Sequence, residues 1–309
     1  MVNQKTVAIL GAGAWGKALA TLAQSNTHNI RIYSRRGSQT LAQTVENADI
    51  ILSAVSIKGV RNIVSQLNFL PIPTQTIFVT ATKGLEPQTT RTPSQIWQEG
   101  FPNNPVVVLC GPNLSKEITQ ELPAATVVAS NSESAAESVQ LVFNSTRFRV
   151  YTNPDPLGVE LGGTLKNVMA IAAGVCDGLQ LGTNAKAALL TRGLTEMVRI
   201  GVDWGAKLET FYGLSGLGDI LATCNSPLSR NYQVGYQLGQ GKSLAEILAQ
   251  LEETAEGVNT AEVLVQRAKQ QNISMPITQG VYSLLKAEVT PRQALLDLMN
   301  RDIKPEYNY

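Results

Sequence analysis

The 309-residue chain is poor in histidine, cysteine and charge. Lys and Arg number 25 against 24 Asp and Glu, a net charge of +1, and charged residues make up 16% of the chain. The usual share in a soluble domain is roughly 25%. So weak a field holds neither nucleic acid nor an anionic membrane, and neither is expected as a partner. Cys110, Cys176 and Cys224 are odd in number and far apart. They offer no disulfide framework and no zinc knuckle, so no metal is expected and a reducing cytoplasm is the simplest compartment. The longest near-apolar run, Val7 to Gly16, ends at Lys17. A spanning helix needs about 20 residues, so no membrane segment is expected. The same run, largely Gly and Ala behind a single Lys5, makes a poor signal peptide.

What remains is ample for a packed core: 43% of residues are hydrophobic, and at about 150 residues per domain the length suits two domains. Short apolar runs at Thr6–Leu10, Asn29–Tyr33, Ile50–Ala54, Thr76–Thr80, Val106–Leu109, Thr126–Ala129 and Phe148–Tyr151 predict strands. Helical patterns lie between them at Lys17–Asn26, Gly59–Leu67, Ser94–Glu99, Ser115–Glu121 and Glu133–Phe143. This alternation predicts right-handed βαβ units and a parallel sheet. Asn153-Pro154-Asp155-Pro156 then breaks the pattern. Beyond it the spacing is helical, beginning with a long helix from Leu157 to Gly178. The expected division is a dinucleotide-binding domain over 1–152 and an all-α domain over 153–309.

Gly11-Ala12-Gly13-Ala14-Trp15-Gly16 follows the first strand and opens the first helix. In that setting G-x-G-x-x-G has a physical reading. Gly11 permits the tight turn, Gly13 lets backbone N–H groups reach a pyrophosphate, and Gly16 lets helix and strand pack closely. The second strand ends in Ser34-Arg35-Arg36, with no carboxylate until Glu46. Planar guanidinium groups suit a ribose 2′-phosphate, which points to NADP(H) over NAD(H). The bland alternative is two solvated arginines.

The lone histidine, His28, reads as a surface turn residue on the side of the sheet away from the strand ends that bind ligands. A proton carrier must then be Lys, Asp, Glu, Tyr or Cys. Lys83 follows a strand in Thr82-Lys83-Gly84, and Lys166 is the only charge between Leu161 and Cys176. A lysine in an apolar cleft has its pKa lowered toward neutrality, the condition for acid/base work. Gly111-Pro112-Asn113 is a further strand-end loop, and Ser229-Arg230-Asn231 precedes a helix. Hydroxyl, guanidinium and amide donors at a helix N-terminus suit a phosphate, although Ser229 alone could be a simple cap.

Together these pieces resemble the bacterial NAD(P)-dependent glycerol-3-phosphate dehydrogenases over nearly the whole chain. The carriers are GAGAWG at 11–16, ATKGLE at 81–86, CGPN at 110–113, GGTLKNVMAIAAG at 162–174, GLSGLGD at 213–219, SRN at 229–231 and AEGVNT at 255–260. The resemblance implies an α/β Rossmann-type doubly wound parallel sheet followed by an all-α C-terminal domain. It also implies reduction of dihydroxyacetone phosphate to sn-glycerol 3-phosphate for phospholipid synthesis, in the cytoplasm, with a homodimer as a possible assembly. By the same resemblance Lys166 is the catalytic acid/base. Lys83, Gly111, Asn113, Lys166, Asp219, Ser229, Arg230 and Asn231 meet the substrate. Gly11, Gly13, Ala14, Trp15, Gly16, Arg35, Arg36, Lys83, Ser115, Arg230 and Glu256 meet the cofactor.

This sequence departs from the family at Asn113, where Ser is frequent, and at Ser115, where Ala is frequent. Only Gly37–Ala48 separates Arg36 from the next strand, where relatives carry a helix, an extra strand and more loop, so a trimmed sheet edge is expected. Two other readings stay open at this point. One is a β-hydroxyacid or 6-phosphogluconate-type dehydrogenase with a lysine acid/base; the other is a dinucleotide sensor without turnover.

The arginine pair yields a direct test. A charge-assisted contact of roughly 1.5–3 kcal/mol corresponds to about a ten- to hundredfold preference for NADPH in kcat/KM. Arg35→Ala with Arg36→Ala is expected to erase most of it while leaving NADH activity nearly intact. Equal kcat/KM for the two cofactors in the unmodified protein defeats the assignment.

Overall fold

A computed structural model describes residues 4–251, 255–303 and 305–306. Strand β1 (Thr6–Leu10) leads to α1 (Ala14–Ser25), β2 (Asn29–Tyr33), α2 (Leu41–Val45), β3 (Ile50–Ser53) and α3 (Ile57–Leu67). Next come β4 (Ile77–Thr80), α4 (Pro93–Gly100), β5 (Val106–Cys110), α5 (Ser115–Thr119), β6 (Ala124–Ala129), α6 (Glu133–Phe143) and β7 (Phe148–Asn153). Among the described residues these strands form one sheet in the order β2-β1-β3-β4-β5-β6-β7. The order reverses between β1 and β3, which opens a crevice at their C-terminal ends. Successive side chains point to opposite faces. Val7, Ile9, Ile50 and Leu52 meet the α1 and α6 side of the core, whereas Ala8, Leu10, Ile51 and Phe78 pack toward Trp97 of α4 and Phe101 just after it.

The sheet departs from the all-parallel expectation at one place: β6 runs antiparallel to β5, and β6 and β7 are again parallel to each other. The reason is the connection. Helix α5 has five residues, about 7.5 Å at 1.5 Å per residue, whereas five strand residues span roughly 16 Å. The chain does not run back along the sheet and enters β6 from the end where β5 finished. The trimmed segment after Arg36 holds only the short α2, closed by a Thr40/Gln43 capping box. Arg31 of β2 donates to Glu46 O at 2.6 Å, tying α2 to the sheet edge. His28 lies in the turn before β2 but is 5% exposed, not a surface residue. Its Nδ1 accepts from Lys5 N at 3.1 Å, which explains a ring held under the edge of the sheet.

The helical part comprises α7 (Pro156–Gly178), α8 (Gly182–Asp203), α9 (Asp219–Cys224), α10 (Arg230–Gly239), α11 (Leu244–Gln250), α12 (Glu256–Gln270), α13 (Pro276–Leu285) and α14 (Pro291–Met299). A 3₁₀ turn at Leu208–Tyr212 and a π-helical turn at Leu214–Gly218 precede α9, and neither is evident from spacing. Asp155 caps α7 by accepting from Gly158 N at 2.9 Å, and its other oxygen accepts from Lys207 N and Thr210 Oγ1. By length and composition α7 could cross a membrane, yet 89% of its most apolar window is buried inside the protein. It is the central core helix, surrounded by side chains of α8, α10, α12 and α13.

Helices α7 and α10 touch backbone to backbone. A Cβ on Gly235 would stand 1.9 Å from Ile171 O, and one on Gly174 would stand 2.1 Å from Tyr232 O. This contact holds the N-terminus of α10 beside the middle of α7. Gly235→Ala is therefore expected to overpack the junction and destabilise the fold by about 1–3 kcal/mol or more. Thermal unfolding measures it, and an unchanged Tm contradicts the close contact.

Candidate active site

The glycine loop lies at the β1/β3 crevice. Gly11 has φ +120°, a region open to glycine. Its N–H donates to Tyr33 O at 2.9 Å, so the Ser34–Arg36 turn starts beside the loop. A Cβ on Gly16 would collide with Gly11 O at 2.0 Å, whereas one on Gly13 would meet nothing within 4 Å. Gly13 caps α1 without any side-chain acceptor, and no acidic residue occupies the first turn. Gly13 and Ala14 are exposed and Trp15 is half-buried against the sheet core. An open helix N-terminus with unclaimed N–H groups fits a pyrophosphate. Arg35 and Arg36 stand exposed at the end of β2.

The strongest electrostatic feature joins three distant parts of the chain. Asp219, at the start of α9, has a 2% exposed side chain. Its Oδ2 accepts from Lys83 Nζ at 2.6 Å and its Oδ1 from Lys166 Nζ at 3.0 Å. Thr223, one helical turn along α9, receives a hydrogen bond from Lys166 and donates to Asp219 Oδ1 at 3.1 Å. Lys83 Nζ also approaches Gly111 O at 3.5 Å, and Cys110 Sγ lies 4.0 Å from Asp219 Oδ2. Gly163 makes room beside this cluster for Cys110: a Cβ there would meet Cys110 Sγ at 2.1 Å.

The two lysines differ in proton affinity. Burial pulls Lys166 below the usual lysine range, helped by the nearby charge of Lys83 and only partly opposed by Asp219. Burial also acts on Lys83, but the Asp219 carboxylate outweighs it and raises Lys83 above its ordinary value. Burial would lift the Asp219 carboxyl; its two ammonium partners override that and hold it below the carboxylate range. Lys166 is thus the group that releases a proton more readily, and Lys83 remains charged.

Around this cluster, Asn113 Nδ2 donates to Thr126 Oγ1 at 3.2 Å while its buried Oδ1 has no partner among the described residues. Ser115 opens α5 nearby. Ser229 caps α10 by accepting from Tyr232 N at 3.2 Å, so its hydroxyl has a structural task. Arg230 is exposed in the first turn of α10, and Asn231 Oδ1 accepts from Gly257 N at 2.9 Å, joining α10 to α12. Glu256 opens α12 with a buried Oε2 that has no partner among the described residues. Burial pushes its pKa up to about 7 against the pull of Arg230 and Lys58. The same oxygen lies 3.4 Å from where a Cβ on Gly84 would be. Two buried acceptors to which nothing donates among the described residues fit a ligand rich in hydroxyl groups, as a dinucleotide is.

Direct contacts thus join Lys83, Lys166, Asp219 and Gly111, while Asn231 bonds Gly257 and the Arg230 charge acts on Glu256. Thr223 and Thr164, whose Oγ1 accepts from Gly84 N at 3.1 Å, were not evident from sequence. Thr223 lies four residues after Asp219, a signal that exists only once α9 is known to be a helix.

The N-terminal and C-terminal models of the NAD-dependent glycerol-3-phosphate dehydrogenase family match residues 6–40 and 36–136, and 155–296, respectively. The two N-terminal stretches meet within the shortened segment after β2. A glycerol-3-phosphate dehydrogenase (NAD(P)+) from Trichormus variabilis is 72% identical over 99% of this chain and 100% of its own. One from Gloeobacter violaceus is 52% identical over 97% and 98%. The crystal structure of glycerol-3-phosphate dehydrogenase from Coxiella burnetii superposes with TM-score 0.92 at 33% identity, covering 96% of this chain and 99% of that one.

Removing one member of a buried ion pair strands the other. Asp219→Asn leaves the buried Lys166 and the half-buried Lys83 without a counter-charge, a loss of about 3–5 kcal/mol. The pKa of Lys166 falls further in that variant. Because a lysine with a depressed folded pKa binds fewer protons folded than unfolded, the variant is expected to regain stability as pH rises. Chemical unfolding across pH 6–10 checks the sign; stability that is flat or falls toward alkaline pH refutes it.

Proposed function

This chain belongs to the NAD-dependent glycerol-3-phosphate dehydrogenase family, and from that premise we propose how its residues interconvert dihydroxyacetone phosphate and sn-glycerol 3-phosphate. It is an NAD(P)-dependent oxidoreductase that supplies the glycerophosphate of phospholipids. The observation that carries the residue assignment is one buried carboxylate shared by Lys166 and Lys83. The division at 1–152 and 153–309 and a cytoplasmic location belong to the same reading. So does a homodimer, for which exposed Leu296, Met299 and Ile303 offer apolar surface.

When bound, the nicotinamide dinucleotide supplies the hydride that reaches C2 of the substrate. Gly11, Gly13, Ala14, Trp15 and Gly16 hold its pyrophosphate, Arg35 and Arg36 its 2′-phosphate, and Ser115, Lys83, Arg230 and Glu256 its remaining polar groups. Lys166, as an ammonium, gives its proton to the carbonyl oxygen as negative charge develops there. Lys83 keeps its charge and stabilises that oxygen, which is the point where a fixed charge lowers the barrier. Asp219 aims both ammonium groups and leaves one net positive charge for the oxyanion. Ser229, Arg230 and Asn231 present the α10 N-terminus to the substrate phosphate. Gly111 and Asn113 border the hydroxyl end, where the unpartnered Asn113 Oδ1 accepts a hydrogen bond.

The ammonium form of Lys166 is needed for reduction, so reduction falls as pH rises through its pKa, below that of a solvated lysine. Lys166→Ala is expected to lower kcat by about 10²–10⁴ with little change in NADPH affinity. Parallel assays of dihydroxyacetone phosphate with NADPH and NADH, monitored by nicotinamide absorbance, test both activity and role. Failure of the unmodified protein to turn over sinks the functional reading, and wild-type turnover in Lys166→Ala sinks only the assignment of Lys166.

A further inference from the structure

We propose that Glu160 is a positioning residue: from α7 it grips the start of α4 and, with Thr164, sets the distance between the Lys83 loop and the helix that carries Lys166. The proposal rests on the roles given above to the two lysines. The connection from β4 to α4 carries Lys83 near its beginning. It is pinned to α7 at both ends. Next to Lys83, Gly84 N donates to Thr164 Oγ1 at 3.1 Å. At the far end, Ser94 N donates to Glu160 Oε1 at 2.8 Å, and the Ser94 hydroxyl donates to Glu160 Oε2.

Glu160 and Thr164 are four residues apart and lie on one face of α7, with Gly163 beside them. A Cβ on Gly163 would stand 3.5 Å from Lys83 Cε, so the lysine stem crosses α7 between the two pins. Helix α4 does not need Glu160 in order to form. Thr92 and Gln95 already make a reciprocal capping box, and Pro93 occupies the first turn. Val159 and Leu161 on either side are wholly buried, so α7 stays anchored there, and Glu160 itself is 2% exposed. Burial pushes its pKa up to about 7 despite the donors from Ser94 and Thr92. A buried carboxylate is a poor stabiliser but a directional acceptor that takes two donors at once.

The expected signature is in turnover. Misplacing a reacting group by about 1 Å costs on the order of a hundredfold, so Glu160→Ala should lower kcat about ten- to hundredfold while KM for NADPH changes less than about twofold. Glu160→Gln, whose amide can still accept from Ser94 N and donate to Ser94 Oγ, should restore most of kcat. Lys83→Ala alone and with Glu160→Ala completes a cycle: if Glu160 acts through Lys83, the second change adds little to the first. Thr164→Val, tested by the same cycle, applies if Glu160→Ala fails to fold. A variant that lowers Tm but keeps kcat, a Gln variant no better than Ala, or effects that multiply independently would each overturn the proposal. Turnover of dihydroxyacetone phosphate by the unmodified protein is measured alongside, so failure of the functional reading is seen separately.

Discussion

Asp219 sits out of water between Lys83 and Lys166, and a carboxylate with two cationic partners leaves one positive charge over. Taking three charges into the interior is tolerable only when their geometry is held closely. Three chain segments must therefore meet: the loop after β4, the middle of α7 and the turn before α9. The π-helical turn at Leu214–Gly218 delivers Asp219 to that point, and Gly162 gives the turn room, since a Cβ there would stand 2.8 Å from Ser215 O. Glycines at 162 and 163 thus serve charge placement as much as packing.

The sheet and the helices supply the two halves of this arrangement by different means. Strand ends present loops with free backbone groups, so the Gly11, Lys83 and Gly111 segments line one edge. The helical part instead places side chains through backbone contact, as at Gly174 and Gly235, where α10 is set against α7 by carbonyl oxygens. Arg230 and Asn231 owe their position to that junction, and Asn231 passes it on to α12 through Gly257. The acidic Glu256 follows at the α12 N-terminus, with the Arg230 charge close enough to act on it.

Much of this was legible in the sequence for physical reasons. Strands such as TVAIL and VVVLC are short apolar runs bounded by breakers, and helix Glu133–Phe143 appears with the expected limits. Lys166 stands out as the only charge between Leu161 and Cys176, where burial lowers a lysine's pKa. Its partner Asp219 lies 53 residues further along the chain and Lys83 lies 136 residues before that carboxylate, so the three meet only through the fold. The direction of β6 was hidden because an apolar strand reads alike both ways, and the short α5 accompanies the reversal. The π turn lacks a 3.6-residue period, and His28 was misread because a polar ring in a turn gives no sign of burial. Nothing in the sequence singles out Glu160, since its partner Ser94 lies 66 residues away.

The burial of α7 also bears on synthesis. All of the sheet strands precede this helix in the chain, whereas the helices that enclose it run on to Leu285. At roughly 5–20 residues per second, a ribosome needs about 5–20 s to deliver them. Throughout that interval a long apolar helix is complete without the helices that enclose it. The nascent chain therefore passes through a stage in which its α/β half can fold while its next element invites capture by other chains or by chaperones. Elongation rate beyond Gly178 becomes a determinant of yield.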